Sequence, residues 1–247
     1  MFEAKLKNPM VLVNPIRAIY ELVKDDVSIH LSDEGLVMRA MDPANVAMVI
    51  FKLKKEAFEK YELKNETYIG VNMDRLFRIL KRSKSNVPLD IKVDDGKMTL
   101  VYGTKSVRRF TTPLLSLESG PRPEPSLKFT ATFSMDSREL KMAIEDAEVI
   151  SDAAIFVGKP DELQIVAQGD FGSVETTMKV GDTITKAEVE ETARAKYSLE
   201  YLKKMMKGLK IGETVVLNLK TDFPMKMEFV GEDAELSFIL APRIDVE

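Results

Sequence analysis

Apolar residues recur along the chain in two alternating rhythms. Four segments carry them at the three-and-four spacing of a helix with one buried stripe: Ile16, Ile19, Tyr20 and Val23 within 13–24; Met73, Leu76, Ile79 and Leu80 within 73–82; Leu140, Ala143, Ile144 and Ala147 within 137–148; and Leu199, Leu202, Met206 and Leu209 within 198–209. The segments begin roughly sixty residues apart. After each, the period falls to two, as in a half-buried strand. Val27, Ile29 and Leu31 lead through Asp33-Glu34-Gly35 to Leu36, Met38 and Ala40. Leu89, Ile91 and Val93 lead through Asp94-Asp95-Gly96 to Met98, Leu100 and Tyr102. Ile155 and Val157 precede a turn within 158–161, then Leu163, Ile165 and Ala167. Val215, Leu217 and Leu219 precede a break at Asp222-Phe223-Pro224, then Met225, Met227 and Phe229, and last Leu236, Phe238 and Leu240. Acidic residue plus glycine is the turn chemistry that hairpins need.

Each quarter thus reads as a helix followed by antiparallel strands, and two quarters make a domain. The stretch LESGPRPEPSLK, 117–128, has no period and holds three prolines in five residues, which no helix passes through and which favour an extended connector. The expected organisation is α+β with two topologically similar domains, 1–116 and 129–247, joined by 117–128.

Composition narrows the chemistry. The 247 residues include no cysteine and a single histidine, His30. That excludes disulfides, thiolate metal sites, a Cys nucleophile, a Ser-His-Asp triad and a multi-histidine metal centre within one chain. His30 alternates with Val27, Ile29 and Leu31 and reads as a polar strand residue. No P-loop, dinucleotide-binding glycine motif or nucleophile elbow is present, and the carboxylates show no metal or acid–base spacing. Asp42, ahead of Pro43, reads as a turn starter. No catalytic residue, metal or cofactor is expected. There is neither an apolar run long enough to span a bilayer nor a secretory signal, which points to the cytoplasm.

The formal charge of −4 argues against a classical nucleic-acid binder. Its distribution argues the other way. The second helix carries Arg75, Arg78, Lys81 and Arg82, followed by Lys84; the fourth carries Lys203, Lys204 and Lys207, then Lys210. These lie off the apolar stripes. Arg17 and Lys141, on the first and third helices, sit among acids. Side by side, such helices form a positive face on an acidic body, suited to phosphate contact without sequence reading. No aromatics interleave with the basic residues, so single-strand stacking is not expected.

Three motifs carry a family resemblance: MRAMDPANVAMV (38–49), IGVNMDRLFRILKR (69–82) and LSFILAPRI (236–244). With MFEAKL at the start, they make the whole chain similar to proliferating cell nuclear antigen, the sliding clamp of eukaryotes and archaea; the Asp-Pro form is closer to archaeal members. The resemblance implies a homotrimeric ring around double-stranded DNA, with helices lining a central hole and sheets outside. It implies a polymerase processivity factor at the nucleoid that serves replication and repair. DNA-facing residues would be Arg17, Arg75, Arg78, Lys81, Arg82, Lys84, Lys141, Lys203, Lys204 and Lys207. Subunits would pair edge strands, 105–113 with 173–180, through Lys105, Arg108, Arg109, Phe110, Glu175 and Thr177, both arginines facing Glu175. DNA polymerase, clamp loader, ligase and nucleases would dock short peptide motifs in a groove of Met41, Val46, Met48, Pro224, Ile239, Leu240, Ala241 and Pro242. Two departures stand out. Val13 and Asn14 replace basic residues on the first helix, and Arg122 and Glu124 occupy a connector where relatives offer an aliphatic side chain. Two other readings fit the same residues: a subunit of a heterotrimeric clamp, and an enzyme or ligand-binding protein on a duplicated scaffold.

Overall fold

Three of the four helices among the described residues are entered directly from a strand, and the first follows its strand after a three-residue bend, Lys7 to Pro9. In the computed structural model, which describes residues 1–103, 105–116 and 123–244, the first half of the chain runs β1 (Phe2–Leu6), α1 (Met10–Tyr20), β2 (Asp26–Ser32), β3 (Gly35–Met41), β4 (Ala47–Lys54), β5 (Lys60–Leu63), β6 (Thr67–Asn72), α2 (Met73–Leu80), β7 (Leu89–Asp94), β8 (Lys97–Tyr102) and β9 (Arg108–Pro113). The second half runs β10 (Ala131–Asp136), α3 (Ser137–Ile150), β11 (Ala153–Gly158), β12 (Glu162–Gly169), β13 (Gly172–Lys179), β14 (Ile184–Val189), β15 (Ala193–Ser198), α4 (Leu199–Met205), β16 (Thr214–Leu219), β17 (Met225–Val230) and β18 (Ala234–Leu240). The two halves repeat the same order of elements, so the duplication read from the helix spacing extends to every strand.

The helix starts have local causes. Asn72 accepts from the Arg75 amide at 3.0 Å and Asp136 from the Arg138 amide at 2.8 Å, satisfying first-turn donors that have no intrahelical partner. The first helix begins at Met10, ahead of the expected 13, and ends at Tyr20 rather than 24. The second stops at Leu80, so Lys81, Arg82 and Lys84 belong to the loop beyond it. The fourth tightens after Met205 into a 3-10 turn, Met206–Lys210. There a Cβ on Gly208 would lie 2.5 Å from the Phe229 ring, so only glycine lets the turn settle on that side chain.

Two compact units result: Met1–Met41 with Val49–Glu124 and Gly231–Leu236, and Asp42–Met48 with Pro125–Val230 and Ser237–Glu247. In the first, a sheet of order β5-β1-β7-β8-β9 accompanies β6-β2-β3-β4. In the second, β14-β10-β16-β17 accompanies β15-β11-β12-β13. Strands β4 and β18 run side by side, and each contributes residues to both units. In each unit one helix pair packs together, α1 with α2 and α3 with α4. Alternation decides the cores: Phe2, Ala4 and Leu6 of β1 are buried, as are Ala131, Phe133 and Met135 of β10.

The hairpin turns obey the expected chemistry. Asp95 and Gly96 both take positive φ, 48° and 68°, between paired Asp94 and Lys97, as a two-residue hairpin loop requires. His30 is half-buried on β2, its Nε2 2.6 Å from Glu66 Oε1 and its ring stacked on Tyr68 at 4.3 Å. Val13 is 1% exposed and faces the core of the first unit. The connector expectation covering Leu117 to Arg122 lies outside the described residues.

Candidate DNA, client and subunit surfaces

The positive helix faces are partly neutralised by their own acids. In the first unit the Tyr20 hydroxyl donates to Asp74 Oδ1 at 2.7 Å, and its ring stacks on Phe77 at 4.5 Å, closing α1 on α2. Arg78 Nε lies 3.5 Å from the same Asp74, and Arg75 Nη1 reaches Thr112 Oγ1 at 3.3 Å. Lys81, Arg82 and Lys84 are exposed and, among the described residues, have no ion-pair partner. Arg17 is half-buried in the last turn of α1.

In the second unit Lys203 pairs with Glu148 across α3 and α4 at 2.7 Å, Lys141 with Glu145 at 2.6 Å and Lys204 with Glu200 at 2.6 Å. Lys207 and Lys210 are exposed and unpaired among the described residues. Lys141, Lys203, Lys207 and Lys210 rim a groove of about 210 Å³ between α3 and α4, with Ile144 and Met206 among its apolar lining. Exposed ion pairs are worth about 0–1 kcal/mol, so a phosphate can replace the carboxylate at little cost. Among the described residues the candidate cations without an ion-pair or side-chain hydrogen-bond partner are Arg17, Lys81, Arg82 and Lys84 in the first unit and Lys207 and Lys210 in the second.

The loop 42–48 is built around one carboxylate. Asp42 is 4% exposed and accepts four hydrogen bonds: the amides of Ala44 at 3.1 Å, Val46 at 2.7 Å and Ala47 at 2.7 Å, and the Tyr201 hydroxyl of α4 at 2.7 Å. Burial disfavours the charge, but the bonds from Ala47, Tyr201, Val46 and Ala44 outweigh it and hold the Asp42 carboxyl below the ordinary aspartate value. Burial and the bond to Asp42 push the Tyr201 phenol up to about 12. Asp42 does start a turn, since the Asn45 amide bonds its carbonyl at 3.0 Å while Asn45 takes φ 56°. Sequence reading leaves Tyr201 aside because it lies off the apolar stripe of its helix.

Around this loop, the Ala241 amide donates to the Val46 carbonyl at 3.0 Å, and the Tyr197 hydroxyl pins the Phe223 carbonyl at 2.7 Å ahead of Pro224. Val46, Pro224, Ala241 and Pro242 are half-exposed, as is Met41 at the end of β3. One groove residue needs correction: strand alternation turns Leu240, 0% exposed, into the core with Leu236 and Phe238. Met48 and Ile239, 5% and 7% exposed, lie on the opposite strand faces, Met48 with exposed Lys52 and Ile239 with Glu235.

The two expected edges are edges. Strand β9 ends the first unit's five-stranded order, and β13 ends the second unit's four-stranded one. On β9, Arg108 stands opposite Tyr102, its guanidinium 4.8 Å from that ring, and Phe110 stacks on the same ring at 5.6 Å. Arg109 faces the other way, opposite Val101. On β13, Glu175 and Thr177 point away from the face that buries Met178. Successive strand residues alternate faces, so Arg108 and Arg109 cannot both face one partner strand's Glu175; Arg109 is on the face of β9 opposite to buried Thr112. Lys105 is exposed in the turn before β9.

Among the described residues no group of three or more His, Asp or Glu could hold a metal ion, and no helix is long and apolar enough to cross a membrane.

A twice-repeated β-α-β5-α-β3 unit with paired helices and open edge strands is the DNA-clamp fold. The family models for the proliferating cell nuclear antigen N-terminal and C-terminal domains match residues 1–118 and 124–244. The chain belongs to the proliferating cell nuclear antigen family of sliding clamps. It is 35% identical over 90% of both chains to the DNA polymerase sliding clamp of Thermococcus gammatolerans. It is 33% identical over the full length of both to that of Methanothermobacter thermautotrophicus. A solved structure of A. fulgidus PCNA bound to the C-terminal region of FEN-1 superimposes over all of both chains with a TM-score of 0.91 at 33% identity. PCNA from Thermococcus kodakaraensis superimposes with the same TM-score at 24% identity and bears on the fold alone.

Proposed function

We propose that this chain is a replication processivity clamp: three copies close head to tail into a ring around duplex DNA, helices inward, and tether polymerase, ligase and nucleases. The observation that carries the ring is the repeat of topology. Strand β9 is the first unit's counterpart of β18, and β13 is the second unit's counterpart of β4. Within the chain β4 and β18 are paired; β9 and β13 each lack a partner on one side among the described residues. A ladder between β9 of one copy and β13 of the next repeats the pairing already made, and a heterologous contact of that kind closes into a ring.

The mechanism is topological. A closed ring stays on DNA without tight binding, so weak phosphate contacts at Lys81, Arg82, Lys84 and Lys207 centre it and let it slide. A client held by a short peptide near Val46, Pro224 and Ala241 gains effective concentration at the primer end, which turns weak contact into processive synthesis. The FEN-1 segment bound to the A. fulgidus relative supports this mode. A separate loader opens the ring, and the clamp works in the cytoplasm, at the nucleoid.

Light scattering over a dilution series tests the assembly. The expected mass is three times the 27.8 kDa of one chain. A persistent monomer at micromolar concentration overturns the homotrimer and points to a heterotrimer subunit. Retention on nicked circular DNA, with loss when the circle is cut, tests the encirclement.

A further inference from the structure

We infer that Tyr201 and Asp42 form a positioning pair that holds the 42–48 loop in the shape its client needs; this rests on the client-docking reading above. Among the described residues Asp42 is the only buried carboxylate. Such a group persists when its acceptors are filled, and here they are filled from two sources. Three donors, the amides of Ala44, Val46 and Ala47, come from the loop itself and curl it around the carboxylate. The fourth comes from α4, 159 residues away in sequence.

The loop amides fix the turn's shape; the Tyr201 hydroxyl ties the carboxylate at its centre to α4, as the Ala241 amide ties its far end at Val46. The consequence reaches the surface through Val46. Its amide is held by Asp42, its carbonyl accepts the Ala241 amide, and its side chain is half-exposed. A shift of the carboxylate therefore moves both sides of the candidate groove together. The tyrosine is itself held in place, because Lys204 Nζ lies 5.4 Å from its ring centroid and pairs with Glu200 on the same helix. A serine or threonine could not span from α4 to the carboxylate. A phenylalanine would keep the packing and lose the bond, which makes the hydroxyl separable from the ring.

The test compares wild type with Tyr201→Phe and Asp42→Asn as full-length protein, each checked for mass and thermal midpoint. Amide exchange at Val46 and Ala47 is read against β12 as an internal control. Affinity is read with a synthetic peptide of the FEN-1 C-terminal region by calorimetry. In Tyr201→Phe, exchange at the two amides rises roughly tenfold, peptide affinity falls roughly tenfold, and mass and β12 exchange hold steady. Combining it with Asp42→Asn costs less than the sum of the two, because both disrupt the same Tyr201–Asp42 bond. Unchanged exchange at Val46 and Ala47 in Tyr201→Phe overturns the pair. Faster exchange with unchanged affinity overturns its role in docking. If wild type fails to bind the peptide, the client reading fails, and the exchange arm still decides whether the pair holds the loop.

Discussion

The guanidinium of Arg108 lies 4.8 Å from the centroid of the Tyr102 ring, on the face of β9 opposite to Arg109. The two neighbouring arginines therefore do different work. Arg108 packs within its own unit, where its exposed guanidinium over the buried Tyr102 ring is worth about 0.5–1 kcal/mol. Arg109 projects from the outer face of an edge, free to meet an acid on another copy. Arg109→Glu is expected to raise the concentration at which the assembly dissociates by at least tenfold, with the monomer's melting temperature unchanged. Arg108→Ala is expected to lower that melting temperature by a few degrees at most. Sedimentation and thermal melts separate the two, and equal effects on assembly would refute the division of labour.

The basic loop after α2 should dominate DNA contact. Lys81, Arg82 and Lys84 are unpaired among the described residues, whereas Lys203 and Lys204 are held by Glu148 and Glu200. Fluorescence anisotropy on a short duplex, repeated across salt concentrations, reads each charge. Removing one free cation is expected to reduce the slope of log affinity against log salt by about 0.9. Lys203→Ala is expected to move it less, since the liberated Glu148 is the only other change.

Acid should loosen α3 through its cap. Asp136 accepts from the Arg138 amide and pairs with the Arg138 guanidinium at 2.6 Å, and these interactions lower its carboxyl from 3.8 to about 2. The folded value lies below the unfolded one, so the contribution is complete above about pH 4 and vanishes as pH falls towards 2. Asparagine also caps helices but does not titrate there. Asp136→Asn is expected to show a shallower fall of the urea midpoint between pH 4 and pH 2.5 than wild type. Parallel curves would mean that Asp136 does not contribute to the acid response.

Gly208 is a steric requirement. An added Cβ would sit 2.5 Å from the Phe229 ring, and Phe229 is fully buried. Gly208→Ala is expected to cost about 1–3 kcal/mol through overpacking, read as a shift in urea midpoint. The double variant with Phe229→Leu should recover part of the loss; no recovery would place the strain elsewhere.

The four helices and most of their following hairpins were legible in the sequence because their information is local. A stripe such as Leu140, Ala143, Ile144 and Ala147 faces one side whatever it packs against. The strands ahead of the helices were harder to see. Residues 131–136 and 193–198 alternate as cleanly as any, but each runs without a turn into a helical pattern. The run from Ala47 to Ile50 is apolar at every position and shows no period. Arg75, Arg78, Lys141, Lys203 and Lys204 are on helices as the stripes predict, while Lys81, Arg82 and Lys84 fall beyond the end of α2; pairing such as Lys203 with Glu148, 55 residues apart, carries no pattern in the chain.

Sequence alone set the class of elements, their fourfold recurrence, the absence of thiol and multi-histidine chemistry, and a family likeness carried by three motifs. Those properties depend on residue type and spacing, which the unfolded chain already possesses. Tertiary structure decided which side chains reach the surface. It turned Leu240 inward, set Arg108 and Arg109 back to back, and brought the Tyr201 hydroxyl to Asp42. A strand's register fixes the facing of every residue on it, and register is settled only when the sheet has closed around its core.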